Sequence, residues 1–199
     1  SMLHDGLWCA YENTGMGVLA DYTAAKHQIS RGDQDAFSVE SHVRAIAARE
    51  GKMFAPEIVP IKVKGTREET IVEHDEGPRM NSSLAALAKL RPSFGAEGTA
   101  TAGSASQISD GAAAVIVSSG AIAQNVKSAV KARIVAAATF AGEPKELFTA
   151  PTGAIEAALA HAQLKAPDIS PVAPTQGVAP PFYAFARPPG VGAGHLHDT

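Results

Sequence analysis

The chain has 199 residues, a length suited to one large domain or two small ones. Its 45% hydrophobic and 19% charged residues describe a globular chain rather than a disordered one. A formal net charge of -3 argues against a nucleic-acid partner, and no apolar run is long enough for a transmembrane helix. The single cysteine, Cys9, has no partner for an internal disulfide, so a reducing, cytoplasmic setting is expected. Ser1-Met2 reads as the scar of a removed tag, and no signal peptide is read after it.

In chain order, the Thr14-Gly15-Met16-Gly17 turn introduces a helix from about Val18 to Gln28. Ser30 with Asp33 three residues on forms a capping-box-like start for a second helix. Ala36, Val39, Val43, Ile46 and Ala47 fall on one apolar stripe of it, and Gly51 ends it. Glu57–Lys64 and Thr70–Glu73 read as a small hairpin, with Pro60 forcing an edge strand or a bulge. Arg67-Glu68-Glu69 is its solvated turn. Ser83–Leu90 is a short helix stopped by Arg91-Pro92, with Ser82 or Ser83 as cap.

Downstream, Ala112–Ser118 reads as a buried strand because its apolar run is continuous. Ala121–Lys131 is expected to be helical, Ala132–Thr139 a second buried strand, and Ala154–Leu164 a helix. That order predicts an α/β core around residues 112–170. Prolines and glycines then interrupt the chain, so 171–199 reads as an irregular tail.

The chemistry-bearing stretch is Gly98 to Ala114, GTATAGSASQISDGAAA. So small a backbone can approach a ligand closely and leave N–H and Ser hydroxyl groups free; the bland alternative is a close-packed crossing of backbone against a helix. Ile29-Ser30-Arg31 with Gln34-Asp35-Ala36-Phe37, then Glu57-Ile58-Val59-Pro60, Asp75-Glu76 with Pro78-Arg79, and Leu87 to Phe94 precede it in order. Together these patches, from about Asp5 to Ser170, resemble the thiolases, which make or break carbon–carbon bonds in acyl-CoA thioesters.

The resemblance implies an α/β fold, partial and thiolase-like. Residues 1–100 would form a loop domain of helices and a small hairpin, and 101–170 part of a layered α/β core. It implies coenzyme A, carried by the substrate, as the ligand, with no separate cofactor and no metal. By matching position, Leu7 and Met16 would flank the pantetheine and Arg79 would approach the nucleotide. Ser93 and Phe94 would line the groove, and Ala102, Ala105, Ser106 and Ile108 would contact the pantetheine arm. A pantetheine amide suits the Ser106 hydroxyl, and the Arg79 guanidinium suits stacking or phosphate. Gly15, Ala86, Ser104 and Gln107 depart from the residues usual there.

The family's nucleophilic Cys lies upstream of the match, and its N-E-A-F, G-H-P and C-x-G motifs are absent here. Gly194-His195-Leu196-His197 lacks the following Pro, and a flexible tail is the expected reading over a metal site at His195, His197 and Asp198. Cys9, between Trp8 and Ala10, reads as an ordinary buried or half-buried cysteine. His27, His42, His74 and His161 read as surface or structural. The resulting expectation is a thiolase-family acyltransferase chain that keeps the CoA-binding region and lacks the catalytic groups. Its partners would be acyl-CoA and either a second copy or a companion thiolase subunit. The alternatives are a non-catalytic thiolase-like binding or interaction module, or an altered reading frame whose last ~30 residues encode nothing selected.

Overall fold

A computed structural model describes residues 2–65, 68–128 and 130–169; the expectations for the tail and for Arg67 lie outside them. The chain opens with a short helix, α1 (Met2–Gly6), and a minimal antiparallel pair, β1 (Trp8–Cys9) and β2 (Thr14–Gly15). Helix α2 (Met16–Lys26) follows at once and buries Leu19, Ala20, Thr23 and Ala24. Gln28, at φ 55°, turns the chain out of the helix.

Helix α3 (Arg31–Glu50) starts on the expected capping box: Ser30 Oγ accepts from the Asp33 N–H, and the Asp33 carboxylate accepts from the Ser30 N–H, both at 3.1 Å. Its buried face is a correction. The fully covered side chains are Gln34, Asp35 and Ser38, whereas Ala36, Val43 and Ala47 of the apolar stripe are exposed and Val39 and Ile46 half-buried. The helix turns its polar side inward because that side answers backbone groups elsewhere. Arg31, held by both Asp35 carboxylate oxygens at 2.9 Å, donates from Nη2 to the Leu87 carbonyl at 2.5 Å and the Leu90 carbonyl at 3.2 Å. These carbonyls close α4 (Leu84–Leu87) and the turn after it, where Leu87 O also accepts from the Leu90 N–H at 2.9 Å; the start of α4 is capped by Ser83 Oγ on the Ala86 N–H at 3.2 Å.

The hairpin forms as β3 (Ile61–Lys64) and β4 (Glu69–Val72), with Ile61 opposite Val72. Pro60 precedes β3 rather than interrupting it. Both strands are edges and every residue in them is exposed.

From residue 106 to 119 the backbone carries no regular structure, and 111–119 are exposed throughout. The expected strands 112–118 and 132–139 do not form ladders. Helix α5 is only Gly120–Asn125, and α6 spans Ala150–Ala162 after a 3-10 turn at Pro144–Glu146. A strand exists by exchanging hydrogen bonds with a neighbour, and among the described residues no strand pairs with these segments. Val115, Ile116 and Val117 are accordingly 87%, 93% and 74% exposed.

The core is small. Cys9, Leu19, Ala20 and Phe148 form its centre, with Met16, Ala105 and Leu147 packed against it. It joins the first hairpin, α2, the glycine-rich segment and the turn before α6.

Candidate functional site: the glycine-rich segment and the start of α2

The segment from Gly98 to Ala105 is held from several sides. Asp21 of α2 directs one carboxylate oxygen, Oδ1, at two successive backbone N–H groups, Thr99 and Ala100, each at 2.8 Å. Gln34 of α3, fully buried, donates from Nε2 to Thr99 Oγ1 at 2.8 Å. The Ala100 carbonyl accepts from the Ser93 N–H at 2.9 Å, and an isolated bridge pairs Pro92 with Thr101. Inside the bend, Ser104 Oγ accepts from the Thr101 N–H at 2.9 Å, and Thr101 Oγ1 from the Gly103 N–H at 3.1 Å.

The glycines are explained by these neighbours. A Cβ at Gly98 would overlap the Asp21 carboxylate, and one at Gly103 would lie 2.6 Å from Leu87 Cδ2. Residues 98–104 therefore meet the bland expectation of a close-packed crossing, with Ala100, Thr101 and Ser104 buried. Past Ala105 the segment opens, and Ser106, Gln107 and Ile108 face solvent.

Of the nine residues selected from the sequence, four gather at the N-terminus of α2. The Leu7 carbonyl accepts from the Met16 N–H at 2.9 Å, Met16 and Ala105 pack on the same core cluster, and the Phe94 ring lies against Gly17. Ser93 lies on the glycine-rich segment, its N–H donating to the Ala100 carbonyl. Ala102 is exposed within the bend, and Ser106 and Ile108 are exposed beyond it. Arg79 lies apart, its side chain exposed and its backbone N–H donating to His42 Nδ1 at 3.2 Å. An open groove of about 600 Å³ adjoins Met16, lined also by Trp8, Cys9, Ala10, Tyr11, Gly142, Pro144 and Leu147.

Cys9 is buried, as expected. No group of three or more His, Cys, Asp or Glu suited to a metal occurs among the described residues. His42 sits below its ordinary value of 6.5, first because burial disfavours its cation and then because Arg79 is near. Glu146, in the turn before α6, is held below 4.5 chiefly by its hydrogen bond from Lys26, with a further one from Tyr22.

Asp21, Gln34 and His42 were not singled out by sequence reasoning as site residues. Asp21 was visible as the one acid in the apolar run Met16–Lys26, and Gln34 as part of the Ser30-to-Phe37 motif. Their targets lie far along the chain, 78 residues for Asp21 and 65 for Gln34.

No described helix is long and apolar enough to cross a membrane. The family model of the thiolase N-terminal domain matches residues 1–121. Acetyl-CoA acetyltransferase 2 of Arabidopsis thaliana is 47% identical over 171 residues, which is 84% of this chain and 42% of that protein. The crystal structure of the Bacillus anthracis acetyl-CoA acetyltransferase superposes with a TM-score of 0.87 at 28% identity, covering 96% of this chain and 48% of that one. Human mitochondrial 3-ketoacyl-CoA thiolase gives 0.87 at 32% identity, covering 98% and 49%. This chain thus spans about half the length of the proteins it matches. With the family model covering more than half of its residues and the α/β fold shared with solved thiolases, the chain belongs to the thiolase family.

Proposed function

We propose that this chain is the acyl-CoA-holding part of a thiolase-type acyltransferase of the acetyl-CoA acetyltransferase kind. The observation carrying this reading is the convergence of Leu7, Met16, Phe94 and Ala105 at the start of α2, beside an open groove and an exposed Ser106. In this reading coenzyme A is the substrate's handle and no separate cofactor takes part. The pantetheine runs along Ala102, Ala105, Ser106 and Ile108, with Leu7, Met16, Ser93 and Phe94 as walls. Small side chains leave room for the arm, and the Ser106 hydroxyl serves one of its amides as donor or acceptor. Arg79 meets the nucleotide. Residues 1–100 act as the loop domain and 101–170 as part of the α/β core.

Acyl transfer needs a nucleophile, a base and oxyanion donors in one pocket. Cys9, the sole thiol of the sequence, is buried in the small core, which makes it a packing group. The chain alone is therefore inactive, and cleavage or formation of the 3-ketoacyl-CoA bond awaits the part of the fold it does not span. The unpaired apolar runs around 115–117 and 134–135 support assembly with a second copy or a companion thiolase segment. The setting we propose is cytoplasmic, in acyl-CoA and lipid metabolism.

Titration calorimetry with acetyl-CoA tests the reading. Weak binding is expected, abolished by Ser106→Trp and reduced by Arg79→Ala. The internal packing of residues 98–104 favours one other reading, a thiolase-like module without ligand, and a folded protein that takes up no CoA would select it.

A further inference from the structure

We infer that Asp21, seconded by Gln34, is a positioning residue for the ligand-facing edge of the glycine-rich segment. This rests on the acyl-CoA reading above. One carboxylate oxygen bonding two consecutive N–H groups fixes both peptide planes at Thr99 and Ala100. Such charge-assisted bonds are roughly twice as strong as neutral ones. Gly98 is required beside them because any Cβ there would enter the carboxylate. Gln34 of α3 fixes the Thr99 side chain, and its Oε1 is buried with no hydrogen-bond partner among the described residues.

The bend that follows is held by its internal Thr101–Ser104 bonds, the bridge to Pro92, the close packing of Gly103 on Leu87 and Leu90, and the packing of Ala105 on the core. The anchored residues 99 and 100 set the direction in which the chain enters this bend. Ala105 leaves the bend packed on the same core cluster as Met16, the first residue of α2, and Ser106 follows it. A tilt at Thr99 is carried through the bend to Ser106, which is exposed. Asp21 and Gln34 act on the ligand through this lever and touch no ligand atom themselves.

The test measures acetyl-CoA affinity together with amide hydrogen exchange at Thr99 and Ala100 in the unliganded full chain. Asp21→Ala is expected to lose protection at both amides and to weaken acetyl-CoA about tenfold, the equivalent of about 1.4 kcal/mol. Asp21→Asn keeps a carbonyl acceptor and is expected to stay within about threefold of the parent. Should Asp21→Ala fail to fold, Thr99→Val removes only the Gln34 acceptor, and an affinity loss of about threefold is expected. Parental affinity in Asp21→Ala, or unchanged exchange at both amides, overturns the inference. If the parent protein binds no acetyl-CoA while Asp21→Ala still loses amide protection, the acyl-CoA reading has failed and the anchor stands as a structural one.

Discussion

Lys26 Nζ lies 2.6 Å from Glu146 Oε1, an ion pair between residues 120 apart in sequence. Tyr22, one helical turn before Lys26, donates its hydroxyl to the same oxygen at 2.8 Å. Glu146 thereby ties α2 to the turn that carries Leu147 and Phe148 into the core. Because Glu146 is lowered in the folded state, its contribution to stability is complete above the ordinary carboxylate value of 4.5 and is lost as pH falls through the depressed value. Thermal melts between pH 6 and pH 3 should show this loss, and Glu146→Gln should flatten that part of the profile. Tyr22→Phe should cost about 0.5–1.5 kcal/mol at neutral pH.

His42 gives an acid-side effect at higher pH. Burial and Arg79 both favour its neutral form, so its stabilisation is present above 6.5 and lost as pH falls below it. The lone pair on Nδ1 that accepts from Arg79 N–H is then taken by a proton. Acetyl-CoA affinity should accordingly change between pH 7 and pH 5.5 in the parent. In His42→Gln, whose side chain does not titrate, that component should vanish; an identical profile in both would remove His42 from the account.

Gly17 and Phe94 test the packing at the start of α2. A methyl group at residue 17 enters the Phe94 ring, so Gly17→Ala must move the ring. Overpacking of this kind costs about 1–3 kcal/mol. The double variant Gly17→Ala, Phe94→Leu should recover part of it, measured by denaturant melts.

Thiolysis of acetoacetyl-CoA by this chain alone should not exceed background, since typical enzymes lie at least ~10⁶-fold above the uncatalysed rate. Absorbance loss that scales with protein and vanishes in Cys9→Ala would contradict that expectation.

The exposed run Val115–Val117 predicts association. Light scattering should give a mass above the 20.5 kDa of one chain. Ile116→Lys should shift it toward that value, and a monodisperse monomer in the parent would show that the run needs no cover.

Features that depend only on near neighbours along the chain can be read from it directly. The Ser30–Asp33 box, a cap at Ser82 or Ser83, the hairpin near Pro60 and the order of the thiolase-like patches were all legible, because capping and turn chemistry act within a few residues. The roles inside the motif from Ser30 to Phe37 were not. Arg31 serves carbonyls at 87 and 90, Gln34 serves Thr99, and Asp35 exists to hold Arg31, so the helix buries polar atoms where its apolar stripe predicted otherwise. The glycines at 98 and 103 were visible, but only Asp21 and Leu87 in place say why nothing larger fits. The segments at 112–118 and 132–139 mark the opposite limit. Their composition favours strands, yet a strand is completed by a neighbouring strand's hydrogen bonds, and it takes the folded chain to show that no strand pairs with them among the described residues.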